Sequence, residues 1–196
     1  MKTLGILAVF AYGLLAAQVQ AQPVDMALCQ WHPETHAYMH RPNAGYYKEE
    51  RLTVPSGYEG VRIEGQFRTL KSHPNWSPGV ALIFDVGPSA SYILRFRRPK
   101  GEVSMQVETE LWANGEKIAE HVFSHRQDMK ADFRADVLWN VYGDVSLKLY
   151  TGKKAFNGPY EVQNHSLGMA TNLQVVSSTA DVKIKSLRFG RVCTPI

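Results

Sequence analysis

The chain has 196 residues, with 22 Lys and Arg against 18 Asp and Glu, a net charge of +4 and two cysteines. That length suits one domain around a single core. The mild positive charge permits an acidic partner without requiring one, and nucleic-acid binders usually carry a denser basic stripe than the nearest approach here, "RFRRPK" at 95–100, so no nucleic acid is expected as a partner.

In chain order the first element is an export signal, residues 1–21. Lys2 supplies the charge, Leu4 to Ala17 the apolar run, and Val19-Gln20-Ala21 the small-residue cleavage site. The run is too short for a membrane span and no other long apolar stretch follows, so no span is expected. The expected location is secreted or periplasmic. Removing residues 1–21 takes away only Lys2 and leaves a net +3. Cys29 and Cys193 then sit near the two ends of an exported chain, where an even pair reads as a disulfide. Closing so long a loop is worth about 5 kcal/mol at most in the chain-entropy model.

Residues 22–50 read as an irregular arm, with Pro23, Pro33 and Pro42 and no sustained period, ahead of a domain over 51–196. His32, His36 and His40 are spaced four apart and would share one face of a helix, where they could hold a metal. On an extended arm the same spacing scatters them over more than roughly 20 Å, so no metal and no cofactor is expected.

From residue 61 the pattern is that of strands. "VRIEGQFRT" (61–69) alternates apolar and polar residues, as a half-buried strand does. "VALIFDV" (80–86) is a continuous apolar run and reads as a central strand buried on both sides. "SYILRFRR" follows, then Arg98-Pro99-Lys100-Gly101, which fits a type I turn. "EVSMQVETEL" alternates with Val103, Met105 and Val107 inward. Asn114-Gly115 is the strongest hairpin signal and "KIAEHVF" its return strand. Residues 128–137 could form a helical turn or a loop. "VLWNVYGDVSLKLYTGKK" (137–154) gives two more strands about a Gly143-Asp144 turn, and "LQVVSSTADVKIKSLRFGRV" (173–192) gives the last ones.

That closing stretch contains an anomaly. Val182 and Ile184 alternate with lysines, but Leu187 and Phe189 carry the apolar side one residue out of step. A β-bulge, with Lys185 and Ser186 facing one partner residue, restores the buried face. At least eight strands, short turns and no convincing long helix predict an all-β, antiparallel two-sheet β-sandwich.

Two segments carry a family resemblance. Trp139, Val141, Gly143, Val145, Leu147, Tyr150 and Gly152 approximate the "W-x-V-x-Y-x-x-x-V-x-L-Y-x-x-G" run of concanavalin A-like lectin/glucanase domains. Leu173, Gln174, Val182, Ile184, Leu187 and Phe189 are similar to the closing strands of such domains. The resemblance covers about a third of the exported chain and implies a jelly roll of two curved sheets. Many relatives bind glycans on one sheet, and some are hydrolases or lyases.

No catalytic signature accompanies it. Hydrolysis by paired carboxylates needs two of them at one site. The nearest approach is Glu108-Thr109-Glu110, whose glutamates share a strand face and read as solvated carboxylates beside the hairpin. Outward positions supply glycan-binding residue types: Arg95, Arg97, Gln106, His121, Asn140, Tyr142, Lys148 and Tyr150. Of these, Arg95, Arg97, His121, Tyr142, Lys148 and Tyr150 form the candidate ligand site. Arg95, Arg97, Tyr142, Lys148 and Tyr150 are expected on one sheet face, contacting an acidic glycan in preference through Arg forks and Tyr rings. Trp76 and Trp112 could stack on a sugar or anchor their loops. The favoured reading is a non-catalytic secreted carbohydrate-binding sandwich for an anionic polysaccharide. An atypical polysaccharide lyase or glycoside hydrolase is the alternative, and a secreted or envelope protein-interaction module the third.

Overall fold

The computed structural model describes residues 27–127, 132–139, 145–151, 154–157 and 169–193. Tyr142, Asn140 and the export signal lie outside them. Among the described residues there is no helix, and so none long and apolar enough to cross a membrane. The strands are β1 (Ala27–Trp31), β2 (His36–His40), β3 (Tyr47–Thr53), β4 (Gly60–Leu70), β5 (Gly79–Asp85), β6 (Ala90–Arg97), β7 (Met105–Ala113), β8 (Glu116–Gln127), β9 (Asp132–Trp139), β10 (Val145–Thr151), β11 (Lys154–Asn157), β12 (Asn172–Ser178) and β13 (Ala180–Cys193). Every pairing is antiparallel.

Two sheets result. One runs β3-β12-β5-β6-β7-β8; the other runs β1-β13-β4-β9-β10-β11, with β2 also paired to β13. Alternation explains the layering. Val80, Leu82 and Phe84 of β5 and Tyr92, Leu94 and Phe96 of β6 point inward from the first sheet, and Val182, Ile184, Leu187 and Phe189 of β13 from the second. Each such side chain is worth about 1.5–3 kcal/mol on full burial. Phe133 sits at the centre, with ring centroids 5.3 Å from Phe67 and 5.1 Å from Phe96. Its space depends on Gly65, where an added Cβ would lie 2.6 Å from the Phe133 ring.

The bulge falls where the parity flip requires it. Ile184 pairs with Gly65 and Ser186 with Glu64, so Lys185 is the extra residue. Toward β2, Lys185 and Ser186 together face Ala37, between the Ile184–Tyr38 and Leu187–His36 pairs. Thr179, buried with φ +53°, turns the chain from β12 in one sheet to β13 in the other. The Asn114-Gly115 turn joins β7 to β8 with φ +53° and +81°, both positive as a type I′ hairpin needs. Cys29 and Cys193 are bonded, with Cα atoms 5.7 Å apart, next to the β1–β13 pairing.

Several local expectations change. Residues 27–50, read as irregular, contribute β1, β2 and most of β3, short strands that complete the edges of both sheets. Residues 132–137 belong to a strand rather than a helical turn or loop. Val103 is 84% exposed because β7 begins only at Met105. The turn closes from Pro99 O to Glu102 N–H, one residue later than expected, with Gly101 at φ +83° in its third position. The strand at 80–86 is central but buried fully on one side only: Ala81, Ile83 and Asp85 are half-buried. His36 and His40 lie on β2, and His40 is buried with Nδ1 2.9 Å from Ser177 Oγ.

Candidate functional site

The outer face of the six-stranded sheet is assembled by register. Asn172, Asp85, Ser91, Trp112 and Lys117 form one rung across β12-β5-β6-β7-β8. Below it run Gln174-Ile83-Ile93-Glu110-Glu120, then Val176-Ala81-Arg95-Glu108-Val122, then Ser178-Gly79-Arg97-Gln106-Arg126. On β7 the residues of this face alternate with Met105, Val107 and Leu111, which point into the core.

The glutamates are not solvated, contrary to expectation. Glu108 is 1% and Glu110 5% exposed. Arg95 Nη1 donates to Glu110 Oε1 at 2.9 Å and to Glu108 Oε1 at 3.3 Å. Arg97 Nε donates to Glu108 Oε2 at 2.9 Å, and Gln106 Nε2 to the same oxygen at 3.3 Å. Trp112 Nε1 donates to Glu110 Oε2 at 2.8 Å, which fixes the indole. Arg126 reaches Gln106 Oε1 at 2.8 Å, and Lys117 approaches Glu110 at 3.8 Å. Each buried carboxylate is thus held by cations and neutral donors together, the condition under which buried charge is tolerated. The guanidiniums stay partly open, Arg95 with 33% and Arg97 with 37% side-chain exposure. Beside the network an open trough of about 920 Å³ is lined by Ile83, Ile93, Asp85, Ser91, Gln174 and Trp112.

The structure divides the sequence-predicted set. Arg95 and Arg97 lie together on this face. His121 belongs to the same sheet but shares parity with Ala119 and Phe123, and its ring packs edge-on to Phe123 at 4.7 Å on the inner side. Lys148 and Tyr150 are on β10 in the other sheet. There Tyr150 lies under the Arg134 guanidinium at 4.2 Å, and Lys148 pairs in register with Asp136. Asp136 accepts two bonds from Arg62, both 2.7 Å, and two from Arg134, 3.2 and 2.9 Å. Burial pushes its carboxyl up, and the Arg62 and Arg134 hydrogen bonds outweigh that and hold it below the usual range. One face carrying Arg95, Arg97, Lys148 and Tyr150 therefore does not exist: parity assigns a residue to one side of its own sheet and leaves the choice of sheet open.

The roles of Glu108, Glu110 and Trp112 were missed, although a signal for them existed. Residues 106, 108, 110 and 112 alternate opposite 91, 93, 95 and 97 across an antiparallel pair, which sets acids beside arginines. Among the described residues no group of three or more His, Cys, Asp or Glu side chains converges on a metal-sized site.

No protein-family model matches the chain, and no curated protein matches its sequence. Solved structures do match in shape. CG-16, a homodimeric agglutinin from chicken liver, aligns with a TM-score of 0.51 and 14% identity over 73% of this chain and 100% of its own. A legume lectin-like domain from Entamoeba histolytica aligns with 0.54 and 7% over 84% and 91%. A Scytalido-glutamic peptidase bound to a peptide-based transition-state analogue aligns with 0.52 and 11% over 76% and 74%. With its two antiparallel sheets, the chain has the concanavalin A-like jelly-roll sandwich fold that its strand pattern implied.

Proposed function

We propose that the protein is exported and binds carbohydrate on the outer face of its six-stranded sheet, along the trough between Trp112 and Gln174. The observation that carries this reading is the indole of Trp112, held by Glu110 at the edge of an open trough that combines Ile83 and Ile93 with Asp85, Ser91 and Gln174. Sugars present the matching pattern: apolar C–H faces that stack on an aromatic ring, and hydroxyls that both donate and accept. The lectin-like folds of the agglutinin and the amoebic domain support the reading at the level of fold.

The charge balance refines the ligand. Arg95 and Arg97 were expected to pair with a sugar carboxylate, but Glu108 and Glu110 already neutralise them. The sheet face itself therefore suits neutral hydroxyls. For the lyase alternative, the candidate bases His121 and Tyr150 lie on different sheets and would have to act singly.

A glycan array followed by calorimetry tests the proposal. Trp112→Ala is expected to weaken binding about ten-fold, the equivalent of 1.4 kcal/mol. An array without any hit would put the protein-interaction reading ahead. Affinity unchanged by Trp112→Ala would move the site off this face.

A further inference from the structure

Beyond the opposite ends of β5 and β6 stand two cations that no acid matches among the described residues. Residues 71–78, leading into β5, and residues 98–101, following β6, enclose a pocket of about 380 Å³. The Arg98 N–H donates to Pro78 O at 2.9 Å and ties the two loops together. Four basic side chains line the pocket, Lys71, His73, Arg98 and Lys100, and no Asp or Glu does. Lys71 is already used by Asp181 at 2.6 Å and by the Pro42 carbonyl. His73 is a wall, with Nδ1 accepting the Asn75 N–H at 3.3 Å and its ring packed on Gly45, where φ is +79° and an added Cβ would lie 2.7 Å from Nε2. Arg98 and Lys100 make no ion pair or side-chain hydrogen bond among the described residues. The nearest acid in sequence, Glu102, approaches Arg126 instead, at 3.8 Å. Trp76, 46% exposed, stands on the rim.

We propose that this pocket is an oxyanion subsite, in which Arg98 and Lys100 hold the carboxylate or sulfate of a glycan whose neutral units lie along the sheet face. The inference rests on the glycan reading of that face and specifies the ligand class. Geometry supports the continuity. Gly79 begins β5 on the rung of Arg97 and Gln106, while Trp112 stands on the rung of Asp85 at its far end. Seven strand residues separate the ends by about 20 Å, a span for several sugar units, with one aromatic ring at each end. A half-buried arginine beside an exposed lysine, with no carboxylate in the pocket lining, favours an oxyanion through charge-assisted hydrogen bonds. Because neither side chain is bonded among the described residues and both sit in loops outside the core, Arg98→Ala/Lys100→Ala is expected to leave the sandwich folded.

The test compares matched oligosaccharides, one neutral, one carrying a uronate and one a sulfate ester, by calorimetry on the full exported chain. The acidic ligands are expected to bind about ten-fold tighter at low salt. That preference should vanish in Arg98→Ala/Lys100→Ala and fade at high salt. Which acidic ligand gains more identifies the source of the anion. Equal affinity for the neutral and acidic ligands, or a preference that survives the double substitution, overturns the inference. In either case binding that still depends on Trp112 leaves the face reading standing. A second arm titrates inorganic sulfate and follows the Arg98, Lys100 and Gly101 amides and the Trp76 indole by NMR. Shifts lost in the double variant support the oxyanion pocket, even where no oligosaccharide binds and the face reading fails. No shift overturns it.

Discussion

Glu108→Gln is the sharpest probe of the candidate site, because it removes one charge and almost no volume. The parent carboxylate is 1% exposed and accepts bonds from Arg95, Arg97 and Gln106. Arg95 keeps Glu110 as a partner at 2.9 Å, but Arg97 loses its carboxylate. A hydrogen bond to a charged group is worth about 1.5–3 kcal/mol. Both guanidiniums are about one-third exposed and can turn to water, so the expected loss is discounted to about 1–2 kcal/mol. For a chain of this size each kcal/mol moves Tm by about 2–4 °C, so the midpoint should fall by about 2–8 °C. Calorimetric unfolding at neutral pH measures it, with Glu120→Gln as the comparison. Glu120 pairs with Lys117 at the exposed edge, where solvent screens the pair and removal should barely move the midpoint. High salt should erase the Glu120 effect and leave most of the Glu108 effect. The same substitution leaves the face with one excess positive charge, so affinity should fall for a neutral glycan and rise for an acidic one. If Glu108→Gln and Glu120→Gln unfold at the same temperature as the parent, the network is an ordinary solvated surface and the site argument built on it fails.

Replacing both Cys29 and Cys193 by Ser should lower stability by up to about 5 kcal/mol, since the bond closes a sequence separation of 164 residues; denaturant midpoints unchanged by the substitution would refute this. Burial lowers the pKa of His40, opposed by nearby Glu50 and reinforced by Lys48, so the folded ring stays neutral where the unfolded one, near 6.5, already takes a proton. Stability should therefore be fully present above about pH 6.5 and fall as pH drops from there through the lower folded value. Denaturation between pH 7.5 and 5 on the parent and His40→Gln measures the difference, and a His40 titration by NMR at or above 6.5 would contradict it.

The parts of the fold legible in the sequence were those where one strand carries its own signal. The Asn114-Gly115 turn needs two positive φ angles, which few residue pairs accept. The slip at Lys185 is visible because an uncorrected register would turn Leu187 and Phe189 out to solvent. β1 and β2 carry no such signal. Each is five residues long, lies at a sheet edge and is fixed by pairing with β13, which follows β2's residues by 142 to 151 positions and β1's by 159 to 166. Prolines around them punctuate the segment without preventing that pairing, because an edge strand needs only one hydrogen-bonded side.

The site failed to show for a related reason. Glu108 and Glu110 read as solvated because isolated carboxylates usually are. Their burial is a property of the neighbouring strand: Arg95 and Arg97 arrive beside them only once the β6–β7 register is set. The same pairing overturns the argument from net charge. A chain at +4 permits an acidic ligand, and its most basic run, which contains both arginines, is where the sequence alone places one. Yet Arg95 and Arg97 are matched by glutamates on the next strand. Cations without a partner among the described residues stand elsewhere, among them Lys183 and Arg188 on the outer face of the seven-stranded sheet, and Arg98 and Lys100 in the loops beyond Gly79. Net charge counts all of these alike, whereas a bound anion meets only the cations that the fold has left unmatched within one pocket. That is why the proposed oxyanion subsite falls on Arg98 and Lys100 and not on Arg95 and Arg97, with which they are continuous in sequence.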